Sequence, residues 1–254
     1  MIRLLTLLAA VLIGTAPARA EDIVADLSQD RVAISTNFDG SEILIFGAIR
    51  REAPRRFDSK MAIIVTVAGP PESVVVRRKE RRLGIWVNTA SVEMAGVPSF
   101  YSIASSIPLA EALTPEADAR WHITTASALR GPSMATTPGG DPDFLEALIR
   151  VNRASGAYGR VEGAVALRDG TLFSTEIALP ADLTEGNYDA RIFLTRDGEV
   201  VDSYATSLYV SKVGLERWIY ALAHDQPLIY GLLSLFIAIV AGWLASAIFR
   251  FVRV

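Results

Sequence analysis

The sequence predicts a mainly β protein: an antiparallel immunoglobulin-like β-sandwich ectodomain, built as one or two sandwiches, with a few short helices. A juxtamembrane amphipathic helix and one transmembrane α-helix complete it. Three observations carry this reading. Between Glu21 and Ser211 the apolar residues largely alternate with period two and are rich in β-branched and aromatic types. Leu228 to Phe249 gives 22 consecutive residues without a formal charge. The mean hydropathy of +0.32 is high for a water-soluble chain, so the excess must sit in particular segments.

Composition excludes several classes of function. The 254 residues carry 25 Lys+Arg against 28 Asp+Glu, a formal charge of −3, which argues against a nucleic-acid binder. No cysteine is present, so disulfides, thiolate metal sites and cysteine nucleophiles are all excluded. Two histidines, His122 and His224, are too few for a multi-histidine metal centre. No cofactor is implied.

The elements follow in chain order. Residues 1–20 read as a secretory signal peptide: Arg3, a mostly apolar run from Leu4 to Ile13, helix breakers Gly14 and Pro17, then Ala18-Arg19-Ala20 as the cleavage pattern. The alternative is an uncleaved anchor, for which the run is about half a span. Residues 21–112 are expected to form an N-terminal β-sandwich. Its strands are expected at Val32–Thr36, Glu42–Ile49, Met61–Ala68, Ser73–Val76, Gly84–Asn88 and Phe100–Ala104. Turns are expected at Asp39-Gly40, Gly69-Pro70-Pro71 and Gly96-Val97-Pro98.

A helical and loop connector occupies 113–157. Thr114-Pro115-Glu116 and Asp141-Pro142-Asp143 both place a capping residue before a proline at the first helical position. From Asp141 to Ala154 the residues Phe144, Leu145, Leu148 and Val151 share one face, and Arg130–Gly140 reads as a loop. In the second β region, 158–212, Arg168-Asp169-Gly170 turns Val161–Leu167 into Thr171–Leu179. Gly186-Asn187-Tyr188 then resembles the tyrosine corner of immunoglobulin-like sandwiches.

Residues 213–226 place Leu215, Trp218, Ile219 and Leu222 on one helical face, expected to lie along the membrane boundary, with Gln226-Pro227 ending the helix. The span follows at 228–249, about 33 Å long as a helix against a hydrocarbon core of roughly 30 Å. Trp218, Tyr220, Tyr230 and Trp243 are its expected interface anchors. With an export signal in front, the N-terminal side lies in the periplasm and 250–254 in the cytoplasm of a bacterial inner-membrane protein.

Chemistry is sparse. The sequence contains no G-x-S-x-G, P-loop, G-x-G-x-x-G or H-E-x-x-H pattern, so an enzyme is not expected. The distinctive polar feature is a basic stretch from Arg50 to Arg82, with ten cations against four acids. Within it Arg77, Arg78, Lys79, Arg81 and Arg82, with Trp86 close by, are candidates for binding an anion or a partner, since arginine forks suit oxyanions. The competing reading is that Arg77–Arg82 is simply a solvated hairpin tip. In the span, Ser234, Ala238, Gly242 and Ser246 form a small-xxx-small stripe suited to close helix packing, with a second copy or another membrane protein.

Several segments together resemble the alphaproteobacterial transmembrane protein family. They are Val76-Arg77-Arg78-Lys79, Gly84-Ile85-Trp86-Val87-Asn88, Val97-Pro98-Ser99-Phe100-Tyr101, Lys212-Val213-Gly214-Leu215-Glu216, Gln226-Pro227-Leu228-Ile229-Tyr230-Gly231 and Gly242-Trp243-Leu244-Ala245. The resemblance implies a signal peptide, an exported domain and one C-terminal span, with no assigned activity and no catalytic residues to carry over. The expected role is a non-enzymatic accessory or binding module whose partners are the lipid bilayer and another membrane protein, such as a permease. The rival is a periplasmic sensor or binder of a small anion or anionic headgroup through the arginine-rich segment.

Overall fold

The computed structural model describes residues 21–34, 40–51, 59–130, 142–212, 219 and 222–252. The expected signal peptide, the 131–140 part of the expected loop, and Trp218 and Tyr220 lie outside the described residues, as do Arg55 and Arg56 of the basic stretch. The protein is mainly β, and its strands form three sheets. Twelve strands are described: β1 Glu21–Leu27, β2 Arg31–Ile34, β3 Ser41–Arg51, β4 Met61–Ala68, β5 Pro71–Arg82, β6 Ile85–Pro98, β7 Tyr101–Ser105, β8 Tyr158–Glu162, β9 Ala166–Arg168, β10 Leu172–Leu179, β11 Gly186–Arg196 and β12 Glu199–Lys212. Helices are α1 Leu109–Ala112, α2 Pro115–Trp121, α3 Thr125–Leu129, α4 Pro142–Ala154 and α5 Pro227–Val252.

The four-stranded sheet runs β1-β3-β10-β9 and the six-stranded sheet β2-β12-β11-β4-β7-β8. Strands from 21–112 and from 158–212 therefore share both sheets, and the expected division at 113–157 is one of sequence, not of packing. The pairs β1–β3, β3–β10, β9–β10, β4–β11, β11–β12, β4–β7 and β5–β6 are antiparallel, whereas β7 and β8 pair in parallel (Tyr101↔Tyr158 to Ser105↔Glu162).

Strand alternation explains the layering. In the four-stranded sheet Ile43, Ile45, Phe173 and Ile177 are buried, whereas Leu44, Phe46 and Leu172 stay exposed, so only one face is covered. In the six-stranded sheet β4 is buried throughout its middle, which requires cover on both faces. Ala62 and Ile64 join a cluster with Tyr101, Ile103 and Phe193 that packs on Leu109, Ile123, Phe144 and Leu148 of the helical region. Ile63, Val65 and Val67 alternate with them and face the other way.

At one edge Glu21 of β1 bonds Arg51 Nε of β3 and Arg196 Nε of β11, each at 2.8 Å, and so fastens the two sheets together. Ile23 N donates to the buried Asp202 Oδ2 at 2.8 Å. A bulge between Leu194 and Thr195 in the pairing with β12 lets Val200 join the helix-side cluster, while Asp202 turns towards β1.

The helical layer begins as the sequence predicts. The Thr114 side chain caps α2 by accepting from Ala117 N at 3.2 Å, and Pro115 is its first residue. Helix α4 buries Phe144, Leu145 and Leu148, but Val151 is exposed, because the buried face ends a turn earlier. The expected corner residue Tyr188 is fully buried and its hydroxyl donates to Thr184 O at 2.9 Å.

Helix α5 belongs to a second compact unit. Pro227–Ser246 is long and apolar enough to cross a membrane, with mean hydropathy 2.3 and none of it buried. Ser234 Oγ donates a hydrogen bond to Tyr230 O at 2.8 Å, which satisfies the hydroxyl within the helix.

Candidate functional site

Among the described residues, strands β5 and β6 pair only with each other and form a long two-stranded arm on the β body. Arg77–Arg82 complete β5 with exposed side chains and lead into the hairpin turn Leu83-Gly84, as the solvated-tip reading also has them. The expected turn at Gly96 is a bulge inside β6, where Glu72 pairs Val97 but Val74 pairs Met94, and Gly96 takes φ +71°. A strand that lies mostly in water needs no apolar alternation, so its charged residues hid it.

The arm has a root and a free end. At the root Met94 and Val97 are buried, and Val74, Val76 and Val92 are partly so, against the helix-side cluster. Arg78 closes the root: its guanidinium lies 4.8 Å from the Phe144 ring centroid and bonds Asp143 at 3.2 Å, both on α4. Between root and α4 is a cavity of about 420 Å³ lined by Val76, Arg77, Arg78, Lys79, Asp143, Phe144, Glu146, Ala147 and Arg150. A second bulge, at Thr89, falls between the pairs Arg78↔Ala90 and Lys79↔Asn88, and separates root from end.

Beyond that bulge the register fixes the faces. Lys79↔Asn88 and Arg81↔Trp86 lie on one face, Glu80↔Val87 and Arg82↔Ile85 on the other. Leu83, Ile85 and Trp86 are 105%, 64% and 69% exposed. Arg82 lies 3.5 Å from Glu80. The side chains of Arg77, Lys79 and Arg81 make no ion pair with any described residue.

The structure therefore divides the basic stretch. Arg50 pairs with Asp22, Arg51 with Glu21, and Lys60 with Glu111 at 2.7 Å. These cations hold strands and helices in place, and Arg78 holds the root. Lys79, Arg81, Arg82 and Trp86 gather at the end of the arm. Sequence reasoning missed Leu83 and Ile85; the available signal was a leucine immediately before glycine between two strands.

Three tyrosine hydroxyls lie in the interior. Burial pushes the Tyr101 and Tyr158 hydroxyls up, and Tyr188 to about 12, so all three stay neutral donors at physiological pH. His122 ends α2 in the left-handed region (φ +51°), with Nδ1 3.2 Å from Ser127 O. His224 is exposed beside α5. No group of three His, Asp or Glu residues placed to hold a metal occurs among the described residues.

Along α5, Ser234, Ala238, Gly242 and Ser246 are exposed on the helix, and a Cβ at Gly242 would meet nothing within 4 Å. Tyr230 and Trp243 are likewise exposed, at 38% and 66%.

A mainly β body with an apolar C-terminal helix open to its surroundings defines a single-pass membrane protein. The chain belongs to the family described as "Putative transmembrane protein (Alph_Pro_TM)", which it matches over residues 22–251. No curated protein matches it. Among solved structures it is similar to Spo0M, a sporulation control protein from Bacillus subtilis, at 12% identity and a TM-score of 0.30. That match covers 80% of this chain and 54% of the Spo0M chain.

Proposed function

We propose that this protein is a membrane-tethered, non-enzymatic recognition module of the bacterial inner membrane, with its β body in the periplasm and the β5–β6 arm as its contact element. The observation that supports this is the arm's free end: cations without carboxylate partners among the described residues, beside large apolar side chains in water, on an element whose root is firmly packed. A solvated tip without a role would keep polar residues there.

The orientation rests on the signal-like leader. Glu21, the first residue after the expected cleavage point, opens β1 and is held by Arg51 and Arg196. Because the chain has no cysteine, a single Glu199→Cys at the exposed start of β12 reports the side directly. It should react with a membrane-impermeant maleimide in intact spheroplasts; labelling only after lysis refutes the orientation.

Recognition is tested by purifying the tagged full chain in mild detergent beside the double variant Lys79→Glu/Arg81→Glu. A membrane protein or lipid retained in stoichiometric amount by the native chain and lost by the variant supports the reading. Equal retention by a folded variant refutes it.

A further inference from the structure

Among the described residues, three two-residue turns with paired left-handed backbones give an internal comparison. Asp169-Gly170 has φ +50° and +59°, and Asp197-Gly198 has φ +48° and +87°. Leu83-Gly84 has the same conformation, φ +50° and +86°. Such turns favour Asn or Asp at the first position, where a short polar side chain tolerates positive φ. Leucine gains nothing there from packing, since it is wholly exposed. The arm end thus carries two local penalties at one residue, a strained backbone and an apolar side chain in water, and folding benefits from neither.

We propose that the end of the arm is a membrane-contact element that docks on an anionic phospholipid surface. This rests on the reading of the arm as the contact element, and names what it contacts. Leu83, Ile85 and Trp86 enter the headgroup and upper acyl region, where tryptophan is favoured. Lys79 and Arg81, on the Trp86 face, and Arg82, on the Ile85 face, lie beside them and pair with lipid phosphates. Lys79, Arg81 and Arg82 against Glu80 leave residues 79–88 at +2. Complementarity of charge favours anionic lipid, and an apolar wedge ringed by cations favours a bilayer over a free anion. Helix α5 ties the arm to a bilayer in any case, which raises its effective concentration at a lipid surface.

The test uses the full chain with Asn88→Cys, exposed beside the tip, labelled with an environment-sensitive dye. It is placed in phosphatidylcholine nanodiscs and titrated with vesicles of phosphatidylglycerol and phosphatidylcholine, or with pure phosphatidylcholine vesicles. The same protein is also reconstituted into phosphatidylglycerol-containing proteoliposomes, so that the tether bilayer is tested as well as a facing one. The dye should shift to the blue and be quenched by brominated lipid in at least one arrangement. That signal should need phosphatidylglycerol, fall at least fivefold with Arg81→Glu/Arg82→Glu or Trp86→Ala, and weaken at 0.5 M NaCl.

Leu83→Asn separates docking from folding, because it relieves the turn: its melting temperature should equal or exceed the native one while lipid quenching drops. No lipid-dependent signal in either arrangement overturns the proposal. If quenching is absent while the Lys79→Glu/Arg81→Glu variant still loses a retained protein, the contact is proteinaceous; the lipid assignment then fails and the recognition arm stands. If the native chain shows neither a lipid-dependent signal nor a retained partner that the charge variant loses, both readings fail.

Discussion

Arg191→Met is expected to loosen the helical layer from the six-stranded sheet. Arg191 stands on β11 and faces the helices. Its guanidinium donates to Trp121 O at 3.1 Å and His122 O at 3.0 Å, lies 3.5 Å from the Tyr101 hydroxyl, and sits 5.3 Å from the Phe193 ring centroid. The two carbonyls are at the C-terminal end of α2, where a cation also meets the negative end of the helix. Methionine keeps an apolar stem against Phe193 but offers no donor. Two hydrogen bonds from a charged group are worth about 1.5–3 kcal/mol each. Partial exposure lets water recover some of that, so the net loss is about 3 kcal/mol. For a domain of this size 1 kcal/mol moves Tm by about 2–4 °C, which gives a fall of about 6–12 °C. The assay is thermal unfolding of the full chain in detergent, followed by near-ultraviolet dichroism, to which Trp121, packed 6.0 Å from Phe193, contributes. Arg191→Lys keeps the charge but not the fork, and should lose roughly half as much. A methionine variant within about 2 °C of the native protein would refute the claim that this guanidinium clamps the layers.

Three further outcomes follow from the packing. Glu21→Ala leaves two largely buried guanidiniums facing each other (the Glu21, Arg51 and Arg196 side chains are 12%, 12% and 15% exposed), and should cost about 3 kcal/mol in urea unfolding. Hydrogen bonding to Arg196 holds the Glu21 carboxyl below its usual 4.5. Its stabilisation is therefore complete above that pH and lost as pH falls through the lower folded value, so the native and variant melting curves should converge in acid. Gly47→Ala would place a Cβ 2.5 Å from Val24 O and 2.6 Å from Phe173 Cζ at the centre of the four-stranded sheet. It should lower Tm by at least 5 °C or prevent recovery of folded protein; an unchanged Tm would contradict the β1-β3-β10 packing. Asp118→Ala removes an acceptor for Ile123 N (3.1 Å), Thr124 N (2.7 Å) and Thr124 Oγ1 (2.6 Å) between α2 and α3, and should cost about 2 kcal/mol by urea titration.

What the sequence made legible was whatever obeys a local rule. Met61–Ala68 was readable as a strand because it is an apolar run between Lys60 and the turn residues Gly69-Pro70-Pro71, and Thr114-Pro115 as a helix start because cap and proline act within one turn. Tyr188 was readable because its bond reaches only to Thr184. The helices α1 and α3 were missed because, at four and five residues, they have no period to detect and owe their form to the sheet beneath them. The parallel pairing of β7 with β8 was beyond reach, since nothing near Tyr101 in the chain announces Tyr158.

The basic stretch shows why the site was only half visible. Counting charges treats Arg51, Arg78 and Arg81 alike, but their roles depend on which carboxylates the fold delivers. Glu21 comes to Arg51 from 30 residues away, and Asp143 to Arg78 from 65. No acid from elsewhere in the described chain reaches Arg81. Folding therefore subtracts the structural cations from the stretch, and the remainder lies at the end of the arm beside Leu83. That leucine breaks a turn rule that Asp169 and Asp197 obey in the same molecule, so generic tolerance of the backbone does not explain it. The proposed contact with a lipid surface accounts for both features at once, the cations left without carboxylates and the leucine left in water.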